Sequence, residues 1–97
     1  MFVWLRPKGS GEDFQIGQVD NVSSGGILCK TNFPYEPGSL LEVRISLLQR
    51  KEMVKVIAES RHLRTLEEDL YAIGLLFIEV ENMSLHGFMA SLEAMFS

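Results

Sequence analysis

The sequence predicts a mainly β domain: a closed or nearly closed antiparallel barrel followed by one C-terminal α-helix. Three observations predict it. Six segments read as strands, most of them alternating apolar and polar residues with the period of a half-buried strand. The breaks between them carry turn chemistry. Beyond residue 82 the apolar residues change to helical spacing.

The first segment, Phe2 to Arg6, ends at Pro7 and the flexible run Lys8-Gly9-Ser10-Gly11. Phe14 to Asp20 and Gly26 to Thr31 follow as short strands. Glu36-Pro37-Gly38-Ser39 places proline where φ is fixed and glycine where φ must be positive, which predicts a type II turn. Leu41, Val43, Ile45 and Leu47 then alternate with Glu42, Arg44 and Ser46, giving a strand with one dry face and one wet face. Met53 to Leu63 reads in the same way, with Val54, Val56 and Ala58 set against Lys55 and Glu59. Arg64 to Asp69 reads as a charged, exposed loop. Tyr71 to Val80 is apolar nearly throughout, as a central strand would be. Leu85, Phe88, Met89, Leu92 and Phe96 then line one face of a helix, with Asn82 or Ser84 available to cap its first turn. Gly87 inside that helix costs about 1 kcal/mol relative to alanine, so the helix depends on packing. Its apolar stripe would cover one mouth or side of the barrel, or serve as a homodimer surface where it is left exposed.

The chain has 97 residues, the size of one small domain, divided into a barrel (1–81) and a helix (82–97). Hydrophobic residues make up 46% of it, enough for a core. The net charge of −4 argues against DNA or RNA as a partner, because a phosphate backbone calls for a basic field. Cys29 is the only cysteine, so no internal disulfide forms; this fits a reducing, cytoplasmic compartment, with Cys29 as a small core residue. The N-terminus has no basic segment or h-region of a signal peptide, and the longest apolar run, Ala72 to Ile78, is too short to insert across a bilayer. His62 and His86 lack metal-ligand neighbours at useful spacing, and no cofactor is called for. There is no nucleophile elbow, P-loop or His-Glu-x-x-His pair, so the chain does not read as an enzyme.

One stretch combines ligand-binding chemistry with a scaffold. Asn21-Val22-Ser23-Ser24-Gly25-Gly26 puts a side-chain amide, hydroxyls and two glycines at a hinge between two strands. Asn21 offers an amide oxygen as acceptor and an NH2 as donor, and Ser23 can donate or accept. Gly25 and Gly26 allow positive φ or close approach. The alternative for Asn21 and Ser23 is a turn or bulge whose side chains bond local backbone, and for the glycines a purely conformational role. Arg61, His62 and Arg64 form a small basic cluster that reads first as a solvated strand end and second as a phosphate-contacting patch.

The chain resembles the PilZ domain family, whose motif is Asp or Asn, any residue, Ser, two residues, Gly. Asn21, Ser23 and Gly26 match it, and Gly25 matches a common second glycine. The run from Glu36 to Leu47 is similar to the family's turn and following strand, Tyr71 to Ile78 to its late strand, and a closing helix follows. The resemblance implies a six- or seven-stranded antiparallel barrel of split-barrel type with a C-terminal helix. It also implies a bacterial regulatory domain that binds the second messenger cyclic di-GMP through Asn21, Ser23, Gly25 and Gly26 and passes the signal to a protein partner or neighbouring domain.

The family's second motif, Arg-x-x-x-Arg on an arm about twenty residues before the Asp/Asn position, does not occur in this sequence. Measured from Asn21, that place falls at or before Met1. Each charge-assisted hydrogen bond contributes about 1.5–3 kcal/mol. Two missing arginines therefore remove about 3–6 kcal/mol, or two to four decades of affinity. The expectation is a weak binder, or a PilZ-like protein-interaction module that no longer holds nucleotide. In the second case Phe2, Trp4 and the apolar helix would be its docking surfaces.

Overall fold

The computed structural model describes residues 1–47 and 53–96. Its elements are β1 (Phe2–Pro7), β2 (Gln15–Ser23), β3 (Gly26–Thr31), β4 (Leu40–Ser46), β5 (Met53–Glu67), β6 (Leu70–Val80) and α1 (Leu85–Phe96). The strands close into an antiparallel barrel in the order β1-β2-β3-β6-β5-β4, with β4 pairing back onto β1. Among the described residues the strand count is therefore six.

Alternation sets which side chains fill the barrel. In β4, Leu41, Val43 and Ile45 point inward and are essentially fully buried, as do Val54 and Val56 of β5. Cys29 is one of these inward residues and is wholly buried. Burial, with a smaller contribution from the Asp20 carboxylate, pushes its thiol up to about 12. It is an inert core residue. The turn at Glu36–Ser39 is the type II turn expected: Gly38 has φ +95°, and Ser39 N donates to Glu36 O at 3.0 Å. Its neighbour Tyr35 is tied to the barrel by a buried bond from Ser60 Oγ to Tyr35 O of 2.9 Å.

Helix α1 begins at Ser84, whose Oγ accepts from Gly87 N at 3.0 Å; Asn82, with φ +63°, lies outside the helix. The apolar stripe faces the barrel. Phe88, Met89 and Leu92 are buried against it, and Phe88 meets Phe77 of β6 edge-on at 5.2 Å. Leu85 and Phe96 remain partly exposed, each at 36%. Most of the stripe is thus taken up by the domain's own core.

Two expected boundaries change. The charged run Arg64–Asp69 is not a loop through its length. β5 continues to Glu67, and only Glu68 and Asp69 turn, with Asp69 at φ +57°. Asn32 Nδ2 holds that turn through a 2.8 Å bond to Asp69 O. Arg64 to Glu67 are exposed on both faces of the ribbon, so the alternation that betrays a strand is absent there. The second change is at the hinge. β2 runs on through Asn21 and Ser23, and Ser24-Gly25 alone form the turn to Gly26.

Candidate functional site

The motif residues lie on the outer face of the barrel, where two β-bulges meet. In β2 the register slips between Val19 and Asn21, leaving Asp20 as the extra residue. Val19 is buried, and the slip turns both Asp20 and Asn21 outward. In β5 the register slips between Ser60 and His62, leaving Arg61 as the extra residue. Ser60 is buried, and both Arg61 and His62 face solvent. Without the bulge, His62 would follow the alternation into the core.

The pairings then align a row across four strands. Asn21 opposes Leu28, Leu28 opposes Gly74, and Gly74 opposes His62. A second outward row runs Ser23, Gly26, Leu76 and Glu59. Gly74 makes room for the imidazole: a Cβ there would lie 3.2 Å from His62 Cδ2. Gly26 is buried, with no room for a side chain, since a Cβ would fall 1.7 Å from Leu75 O. Gly25 holds φ +114°, and its carbonyl accepts from Phe77 N at 2.9 Å. The backbone of the hairpin is therefore clamped against β6.

These rows enclose a shallow depression of about 400 Å³. Asn21, Ser23, Ser24, Gly25 and Gly26 form one side of it, and Arg61 and His62 the other. Leu28 and Leu76, 39% and 36% exposed, give it an apolar floor. Among the described residues no carboxylate lines it. Among the described residues Arg61 is the one lining side chain with a permanent charge, and Glu59 approaches it at 3.7 Å. A flat, anionic, partly aromatic ligand suits such a lining: the floor takes ring faces, and the rim takes anionic oxygens. The volume falls within the range of small-molecule sites, about 300–1,000 Å³.

The candidate side chains differ in how free they are. Asn21 Oδ1 accepts from Val22 N at 2.9 Å, the local backbone bond that was the alternative to ligand contact, so its NH2 remains for other partners. Ser23 makes no side-chain hydrogen bond among the described residues and is exposed. Arg61 Nε lies 3.7 Å from Glu59 Oε2, an exposed pair of little stability. Arg6 is committed elsewhere. Its Nε contacts Glu42 Oε2 at 2.7 Å, and its guanidinium covers the Phe14 ring at 4.3 Å.

A second depression, of about 370 Å³, lies over β4, the first part of β5 and the end of β6. Lys8, Arg44 and Lys55 face Glu42, Glu79 and Glu81 across it, so it offers no net charge to a ligand. Among the described residues no cluster of His, Cys, Asp and Glu can hold a metal ion, and no helix is long and apolar enough to cross a membrane.

A family model of the PilZ domain matches residues 4–94. The chain belongs to the PilZ family. Neither the curated proteins nor the solved structures contain a match. PilZ domains are a family of cyclic di-GMP receptor domains, regulatory rather than catalytic, and the closed six-stranded barrel with its C-terminal helix is the architecture the resemblance implied. In this PilZ domain the motif residues Asn21, Ser23, Gly25 and Gly26 all border one depression. The sequence reading did not bring Arg61 and His62 to that depression. The only signal for it was the basic cluster itself; the strand order that carries β5 next to β6, and β6 next to β3, has no local trace.

Proposed function

We propose that this PilZ domain is a regulatory module that receives cyclic di-GMP on the outer face of β2, β3, β6 and β5. Asn21 and Ser23 contact the ligand there, and Gly25 and Gly26 shape the backbone beside it. The observation that carries this reading is the depression at the motif: it has the Arg61 guanidinium at its rim, an apolar floor and, among the described residues, no carboxylate in its lining. Binding by these 97 residues is weak because they contain no Arg-x-x-x-Arg pair. A parent affinity of about 1 μM would become about 0.1–10 mM. A bound dinucleotide would change the charge and shape that this face presents to a neighbouring domain or protein partner, which is how the signal passes on. No metal or cofactor takes part. The lone buried thiol suits a reducing bacterial cytoplasm as its setting.

Titration with cyclic di-GMP tests the reading. Saturable binding that Ser23→Ala weakens supports it. Binding that Ser23→Ala leaves unchanged removes Ser23 from the site.

A second reading has its own observation. Phe2 and Ile16 are each 56% exposed on neighbouring strands β1 and β2, where Phe2 opposes Gln18 and Trp4 opposes Ile16. This apolar edge suits a PilZ-like protein-interaction module that works without nucleotide. Under that reading, Phe2→Asp together with Ile16→Asp abolishes association with the partner or with a second copy, while the nucleotide has no effect.

A further inference from the structure

We propose that Arg61 and His62, turned outward together by the β5 bulge, form an anion-binding pair that holds a phosphate of the ligand. The proposal rests on the cyclic di-GMP reading for the identity of the ligand, but the anion site itself stands on the local geometry.

The argument begins with the bulge. An unbroken β5 would present Arg61 alone on this face, because Ser60 is buried and alternation would send the next side chain inward. One extra residue places two consecutive nitrogen-bearing side chains side by side. Bulges re-aim side chains at functional positions in this way. The second observation is Gly74. It opposes His62 directly, and a Cβ there would lie 3.2 Å from His62 Cδ2 and 3.4 Å from His62 Cβ. The glycine thus leaves room for the ring at the side of the depression facing Asn21. The third is that, among the described residues, no acid lines the depression and the Ser23 hydroxyl across it makes no side-chain hydrogen bond. Guanidinium and imidazole donors on one rim, with hydroxyl and backbone groups on the other, can grip an anion from two sides.

One carboxylate competes. Glu59 lies two residues back on β5, in the outward row of Ser23 and Leu76, and it approaches Arg61 at 3.7 Å. The pair is exposed and weak. A phosphate displaces Glu59 from the guanidinium, so Glu59 acts as a counterweight that lowers anion affinity.

The test uses the 97-residue chain and two probes, cyclic di-GMP and inorganic pyrophosphate, followed by NMR of the backbone amides, the Arg61 Nε–H and the His62 ring. Both probes are expected to shift Arg61 and His62. Arg61→Ala weakens each by about ten-fold or more, and His62→Ala by about five-fold. Glu59→Gln tightens each by about two- to five-fold, a gain that a purely structural role would not give. Arg64→Ala removes the same charge from the same strand outside the lining and leaves binding unchanged. The substituted side chains are all exposed or half-buried, and an unchanged amide spectrum away from the site verifies the fold.

If cyclic di-GMP shifts Ser23 and Gly25 with an affinity that Arg61→Ala and His62→Ala do not alter, this pair is overturned and the functional reading survives. If pyrophosphate shifts Arg61 and His62 while cyclic di-GMP shifts nothing, the anion site stands and the functional reading falls. If neither probe reaches Arg61 or His62, the anion pair is overturned.

Discussion

Replacing Gly26 with alanine separates scaffold from contact at the motif. A Cβ at this position would lie 1.7 Å from Leu75 O, 2.8 Å from Leu75 C and 3.3 Å from Leu76 Cα. All three are backbone atoms in the paired strand, so no rotamer change relieves the clash. Ordinary contact begins at 3.4 Å, and β3 and β6 must therefore part locally by about 1.7 Å (3.4 less 1.7). Hydrogen bonds stretched by that amount are lost. One or two of them contribute about 1 kcal/mol each, and overpacking adds about 1–3 kcal/mol. The expected destabilisation is about 2–5 kcal/mol, a large part of the 5–15 kcal/mol typical of a domain. Urea unfolding followed by Trp4 fluorescence measures it. Gly25→Ala is the companion: φ +114° strains any side chain, but the only close neighbour is the flexible Leu76 Cδ1 at 3.4 Å, so about 1–3 kcal/mol is expected. A Gly26→Ala protein within 0.5 kcal/mol of the parent, with the same dependence on urea, would refute the claim that this glycine is demanded by the close approach of β6.

Three further outcomes follow from the core. Ser60→Ala strips the buried Tyr35 carbonyl of its 2.9 Å hydroxyl donor and should lower stability by about 1–3 kcal/mol in the same urea assay. Phe88→Ala removes a fully buried ring packed on Phe77 and should cost about 3–5 kcal/mol; a loss under 1 kcal/mol would show that the helix is not part of the core. Cys29 should resist a thiol reagent at pH 8 until the protein unfolds. Its thiol ionises near 9 when free but is pushed up to about 12 when folded. The native state therefore retains a proton that the unfolded chain releases. Stability is full below pH 9 and falls by about 1.4 kcal/mol per pH unit as pH rises toward 12. Tyr35, raised by burial and then by Glu12 and Cys29, erodes stability in the same direction above pH 10. Cys29→Ala should flatten part of that slope.

Much of the barrel was legible because each strand carries one wet and one dry face. Leu41-Val43-Ile45 and Val54-Val56-Ala58 declare themselves by alternation, and Pro37-Gly38 by the φ values they require. The ribbon from Arg64 to Glu67 was not legible, because it leaves both faces in water. The bulges at Asp20 and Arg61 were not legible either. One extra residue shifts the register without changing composition, and only the partner strand reveals it. The site divides in the same way. Asn21 to Gly26 are contiguous and could be read as a unit. Arg61 and His62 join them through β3-β6-β5 adjacency, a product of long-range pairing that the motif does not encode. The helix stripe was visible in sequence, but whether it met the barrel or a partner was decided by packing, which buries Phe88, Met89 and Leu92.

The most direct test of the whole account is an amide NMR titration of this chain with cyclic di-GMP at millimolar concentration. The account predicts saturable shifts confined to Asn21–Gly26, Leu28, Arg61, His62 and Leu76, with a dissociation constant of about 0.1–10 mM. Micromolar saturation would contradict the weakness assigned to these 97 residues, which contain no Arg-x-x-x-Arg pair, and an unperturbed spectrum at the hairpin would contradict the site itself.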